Sequence, residues 1–184
     1  MAEALLVMDI QVGIVSRIAQ PETLLNNIKE TIAAARVAQI KIIYVTVQFR
    51  EGFPEISSNN KGFSVIKGSQ MLGSSEVVAI HNAVTPAKDD IHVIKRRVSA
   101  FTGSDLEVIL RANNIDKMAL CGIATGGVVL STLREAADKD YQLTVLHDCC
   151  ADADTEVHEL LVKKVFPRQA DVISHLEWIE QLNK

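Results

Sequence analysis

Short apolar runs recur along this sequence, and between them the apolar residues fall into a helical period. The runs cover residues 4–10, 41–47, 91–95, 117–123, 143–147 and 172–174. They are rich in Val, Ile and Leu and too short for ordinary helices, which suits strands buried on both faces. Parallel strands need a long crossover, and a helix supplies it. Leu25, Ile28, Ile32, Ala35 and Val37 recur at helical spacing, so residues 22–38 are predicted as a helix, with Pro21 where a first turn tolerates it. A helix is expected from Gly103 or Ser104 to residue 113, with Asp105 and Glu107 favouring its positive end. Others should run from the Gly-rich turn after residue 123 to residue 138, from Thr155 to before Pro167, and through Trp178 and Leu182. The chain therefore reads as one domain over residues 1–184. Its expected class is α/β, a Rossmann-like three-layer α/β/α sandwich with a mainly parallel six-stranded sheet.

Residues 48–90 break this regularity. They carry Gly52, Pro54, Gly62, Gly68, Gly73, Pro86 and the polar cluster Ser57-Ser58-Asn59-Asn60. A loop this long is either functional or a surface excursion with small elements of its own, such as a short strand at 77–80.

Composition narrows the function classes. Hydrophobic residues make up 48% and charged residues 23%, which fits a globular core and not a disordered chain. The net charge is −4, no basic stripe is present, and aromatics are only 4%, so a nucleic-acid partner is not expected. No apolar run reaches the ~18 residues of a membrane span. The first residues lack a positive region and soon meet Asp9, so they do not read as a signal peptide. Three cysteines, an odd number, fit a reducing compartment. The expected location is cytoplasmic, with no membrane partner.

In open parallel sheets, ligands bind beyond the carboxyl ends of the strands. Asp9 ends the first run, where partial desolvation raises a carboxyl pKa and suits acid–base work; the alternative is a turn-capping aspartate. Lys95 ends the third run and can pair with Asp9, hold an anion or stabilise developing negative charge, whereas Arg96 and Arg97 read as a solvated basic cluster. Gly122-Ile123-Ala124-Thr125-Gly126-Gly127 leads into a helix, where backbone N–H groups make a ready anion site. It is neither a dinucleotide fingerprint nor a Walker loop, so no nucleotide or flavin cofactor is expected. The histidines (His81, His92, His147, His158, His175) show no close pairing, and Cys149-Cys150 is not a C-x-x-C, so no metal site is expected. The adjacent cysteines read as buried small residues at a strand end.

ALLVMDIQ, VIKRRVSAFTGSDL and GIATGGVVLSTLREAADKDYQLTVLHDCCADAD together resemble the isochorismatase-like, or cysteine hydrolase, superfamily over nearly the whole chain. The resemblance implies a Rossmann-like domain with an Asp–Lys–Cys triad. Asp9 matches its aspartate and Lys95 its lysine. Ala124 matches the residue whose N–H helps form the oxyanion hole, with Gly127 and Val128 beside it; the peptide before this alanine, here Ile123–Ala124, is often cis in the family. The family's nucleophile lies three residues after the threonine of this turn. That position is Val128, and valine is no nucleophile. Cys121, Cys149 and Cys150 lie elsewhere, and Val47-Gln48-Phe49-Arg50 lacks the histidine of the nicotinamidase metal segment.

Two readings follow. One is a hydrolase of a small anionic substrate that uses Asp9, Lys95 and water, as the family's vinyl-ether hydrolases do without a cysteine. Gln11, Phe49, Arg50 and Phe101 are its expected substrate-binding residues, with Arg50 or Arg97 on a substrate carboxylate. The other is an inactive relative that binds a small molecule or serves as an interaction protein. The resemblance also implies a homo-oligomer, a dimer or larger.

Overall fold

The structure is a computed structural model that describes residues 2–69 and 74–183. Six strands alternate with helices: β1 (Ala2–Met8), β2 (Lys41–Val47), β3 (Ile91–Lys95), β4 (Ile115–Ile123), β5 (Gln142–Ala151) and β6 (Asp171–Ile173). The helices are α1 (Val12–Val15), α2 (Glu22–Val37), α3 (Lys61–Ser69), α4 (Ser75–Val78), α5 (Leu106–Ala112), α6 (Leu130–Asp138), α7 (Thr155–Leu160) and α8 (His175–Leu182). The strands form one sheet in the order β3-β2-β1-β4-β5-β6, and every neighbouring pair is parallel. This is the doubly wound order, whose connections reverse direction between β1 and β4. The crevice outside those two strand ends is where such folds bind ligands.

Strand alternation builds two apolar layers. Ala4, Leu6 and Met8 of β1 face a layer with Leu106 and Leu110 of α5 and Leu133 and Ala136 of α6. Leu5 and Val7 face the other layer, with Leu25, Ile28 and Ile32 of α2 and Trp178 of α8. Burial on both faces explains why the strand runs read as almost continuously apolar.

The short strand expected at 77–80 is absent. Residues 75–78 form the helical turn α4, capped by Ser74, whose Oγ accepts from the Val77 N–H. Only Ile80 pairs in β fashion, as a single antiparallel bridge to Gln11. The expected end of β5 at residue 147 is also corrected. The strand runs on to Ala151, because Cys150 and Ala151 pair with Gly122 and Ile123 of β4. The register shifts between Leu120, opposite Val145, and Gly122, opposite Cys150, so β5 holds a bulge. The helix expected to stop before Pro167 continues as a π-helical turn over Leu161–Val165 and a 3-10 turn over Phe166–Arg168, where the proline sits in the first turn and no N–H is needed.

Helix α8 opens with a capping box. Ser174 Oγ accepts from the Glu177 N–H at 3.2 Å, and Glu177 Oε2 accepts from the Ser174 N–H at 2.7 Å. Ser174→Ala should therefore cost about 1 kcal/mol of folding stability, read as a lower denaturation midpoint with unchanged slope.

Candidate active site

The first strand ends at Met8, and Asp9 takes φ = 56°, a left-handed backbone that aspartate tolerates better than most residues. Its N–H donates to Val45 O at 2.8 Å, which ties the turn to β2. Lys95 closes β3, two strands away, and its long side chain crosses the end of β2. Lys95 Nζ lies 2.9 Å from Asp9 Oδ2, with the two side chains only 2% and 7% exposed. The ammonium also donates to Arg97 O at 2.9 Å. Asp9 Oδ1 is buried with no hydrogen-bond partner. Burial pushes the Asp9 carboxyl above its ordinary value, against the downward pull of Lys95. The pair expected from the strand ends is formed, and one of its carboxylate oxygens is left free.

Beside Met8, across the β1–β4 boundary, stands Gly122. The chain then passes through a cis Ile123–Ala124 peptide into a π-helical turn over Thr125–Val129. Gly127 has non-helical φ and ψ of −102° and −105°, and its N–H donates to Ala124 O at 3.0 Å. That amide is thus turned into the turn itself. Val128 is 2% exposed and belongs to the apolar layer with Met8. Two residues without an assigned role hold this turn. Asp152 Oδ2 accepts from the Gly126 N–H at 2.7 Å, and His158 Nδ1 lies 2.8 Å from Thr125 Oγ1. Burial lowers the His158 pKa below its ordinary value. Asp152 falls inside the HDCCADAD segment, but its reach to Gly126 depends on the β4–β5 pairing and has no local signal.

The expected substrate-binding residues divide. Gln11 is fully buried, and its amide bridges backbone: Nε2 donates to Val47 O and Val78 O, and Oε1 accepts from the Val47 N–H. It locks the end of β2 to α4. Phe49 packs with Phe53 and Phe63, at centroid distances of 6.0 and 5.4 Å, in a small apolar cluster beyond β2. Arg50 pairs with Glu55 at 2.6 Å. Glu55 also meets Arg96 Nε at 3.5 Å, and its carbonyl accepts from Arg97 Nη2 at 2.9 Å, so one glutamate gathers three arginines next to the site. Burial pushes the Glu55 carboxyl up, but hydrogen bonds from its own backbone and from Arg50 outweigh this and leave it below its ordinary value. Phe101 is not brought to Asp9. Its ring lies 6.1 Å from that of Tyr141, which precedes β5 and so stands at the opposite end of the parallel sheet.

The three cysteines are buried thiols. Burial pushes Cys121 and Cys149 well above the ordinary thiol value and Cys150 up to about 12. Cys149 faces the α2–α8 layer, whereas Val93, one alternation before Lys95, faces the other.

A doubly wound parallel sheet with a buried Asp–Lys pair at the strand ends and a π-helical turn at the switch point defines a class of α/β proteins whose polar groups gather where such sheets bind ligands. The chain belongs to the Isochorismatase family: the family's isochorismatase domain matches residues 3–177. Among relatives, the uncharacterized isochorismatase family protein YwoC of Bacillus subtilis is 33% identical over 187 aligned residues, covering 97% of this chain and 93% of YwoC. The uncharacterized isochorismatase family protein YecD of Escherichia coli O157:H7 is 41% identical over 103 residues, and the match spans 55% of each chain. An isochorismatase family protein of Burkholderia thailandensis superposes with a TM-score of 0.89 at 26% identity, covering 100% of this chain and 96% of its own. Among the described residues, no helix is long and apolar enough to cross a membrane.

Proposed function

We propose that this protein hydrolyses a small anionic substrate through Asp9, Lys95 and water, with no covalent cysteine intermediate, and that the bond it cleaves is a vinyl ether. The observation that carries this reading is the free, buried Asp9 Oδ1 beside an Oδ2 paired to Lys95. The resting Asp9–Lys95 pair is ionised, and a carboxyl raised by burial takes up a proton at a higher pH than an exposed one, so the protonated form of the pair is the one that does the chemistry. The reaction then runs in three moves. Asp9 gives its proton to the terminal enol carbon, leaving an oxocarbenium ion, and Lys95 stabilises the resulting carboxylate. Water adds to the oxocarbenium carbon and returns a proton to Asp9. The hemiketal collapses to a keto acid and an alcohol. Val128 at the family's nucleophile position, and the burial of all three thiols, support a mechanism without a thioester. Arg50 supplies the charge for a substrate carboxylate once it leaves Glu55.

The test is pyruvate release from isochorismate by the purified protein. Turnover should fall at least about a hundredfold in Asp9→Asn, the scale of a lost general acid. Wild type and Asp9→Asn releasing pyruvate equally, or not at all, would sink the vinyl-ether reading. A non-catalytic binder is the second reading, favoured by the engagement of the Gly127 N–H within its own turn. It wins if no turnover is found with small acids and amides while one of them raises the melting temperature.

A further inference from the structure

On the α2–α8 face of the sheet, a second group of chemically active side chains gathers away from the Asp9–Lys95 pair. In the bulged part of β5, Cys149 faces the α2–α8 layer with Asp148 beside it in the chain, while the start of α8 brings in His175. One ligand atom from each of Asp148, Cys149 and His175 lies within 4.8 Å of the others. Cys149 is fully buried and His175 is 6% exposed. Asp148 Oδ2 lies 2.7 Å from His175 Nδ1, and Glu30 Oε2 of α2 lies 3.3 Å from His175 Nε2.

We propose that Asp148, Cys149 and His175 form a zinc-binding site, with Glu30 orienting the histidine from behind. The donor set is one thiolate, one imidazole and one carboxylate, the mixture of ligands that suits zinc. Tetrahedral zinc with bonds of about 2.0–2.3 Å spaces its ligand atoms roughly 3.3–3.8 Å apart. The group must therefore draw in slightly, and the Asp148–His175 hydrogen bond must open by about half an ångström. A ligating histidine characteristically donates its other ring N–H to a carboxylate, and Glu30 stands at that second nitrogen. The backbone around the group is already fixed. Asn27 Nδ2 donates to Asp148 O at 3.0 Å, Thr31 Oγ1 donates to Asn27 O at 2.8 Å, and Thr31 Oγ1 lies 3.4 Å from Cys149 Sγ. Three protein ligands leave a fourth position for water. Of the three ligands, Asp148 also lines an open cavity of about 250 Å³ with Ile18, Leu24 and Asp152. As the S–Zn bond forms, the thiol proton leaves to solvent.

The experiment is zinc and cobalt binding to the full chain after stripping with a chelator. Equilibrium dialysis should find about one zinc per chain at micromolar free zinc, and zinc should raise the melting temperature. Cobalt in place of zinc should give a thiolate-to-cobalt charge-transfer band. Cys149→Ser should abolish that band and Asp148→Asn should weaken zinc binding at least about tenfold, while Asp9→Asn leaves both unchanged. Circular dichroism separates lost ligation from lost fold in each variant, and the wild-type cobalt spectrum tests thiolate ligation even where a variant fails to fold. Less than about a tenth of an equivalent of zinc on the wild type overturns the proposal. So does binding without the charge-transfer band, binding unchanged in the folded Cys149 and Asp148 variants, or binding that disappears with Asp9→Asn.

Discussion

Lys95→Met should cost about 3–5 kcal/mol of folding stability at neutral pH, because it leaves Asp9 buried without its counter-ion. Methionine keeps most of the aliphatic stem, so the loss is electrostatic and not a cavity. The ammonium is 2.9 Å from Asp9 Oδ2 and also holds Arg97 O, so two acceptors lose a donor together. Burial already holds the Asp9 carboxyl above its ordinary value, and Lys95 is the strongest of the pulls downward. Removing that pull raises the folded pKa further. A carboxyl with a folded pKa above its unfolded value of about 3.9 contributes its stability in full below that value, and loses the contribution as pH rises through the folded pKa. The deficit of Lys95→Met relative to the wild type should therefore shrink as pH falls from neutral toward the folded pKa. Urea unfolding across that range measures it. Asp9→Asn combined with Lys95→Met should recover much of the loss, since no uncompensated charge then remains. A deficit below about 1 kcal/mol at neutral pH, or one that does not shrink on acidification, contradicts an ionised buried pair.

Gly122→Ala should be nearly as damaging, by about 3–5 kcal/mol, through backbone collision and positive φ together. A Cβ at Gly122 would lie 2.4 Å from Met8 O and 2.9 Å from Met8 Cβ. The nearest atom is main chain in the adjacent strand and cannot swing aside. The residue also has φ = 154°, a region L side chains rarely adopt. The collision falls one residue before Asp9, so the variant should also displace the carboxylate and lower any pyruvate release at temperatures where it is still folded. Gly126→Ala is the control. Its Cβ would meet Val157 Cγ1 at 3.1 Å and Asp152 Oδ2 at 3.2 Å, both side-chain atoms able to give way. It should cost about 1 kcal/mol or less in denaturant unfolding. Equal losses at the two glycines would show that the close β1–β4 approach is not what Gly122 serves.

Several parts of the site could be read along the chain. Asp9 and Lys95 each end an apolar run, and in a parallel sheet all such ends lie on one edge. The Gly122–Gly127 turn announced itself by composition. The expected role of Phe101 rested on its nearness to Lys95 in sequence, which says nothing of direction; its ring packs on Tyr141 at the far end of the sheet. Gln11 likewise sits two residues from Asp9, yet its amide serves the backbone of Val47 and Val78. The Glu55 hub is invisible from the sequence because Arg50, Arg96 and Arg97 converge on it from two different strand ends.

By itself, the order of apolar runs and helical periods determined the parallel α/β sandwich and the edge on which Asp9 and Lys95 stand. Burial on both faces is written into each strand locally, residue by residue. Only the tertiary structure decided which oxygen of Asp9 stays free, which arginines Glu55 collects, and that Asp148, Cys149 and His175 meet. The first two depend on side chains from separate strands meeting at one sheet edge. The third depends on a bulge in β5, which arises where its pairing with β4 slips and not from any pattern in β5 alone.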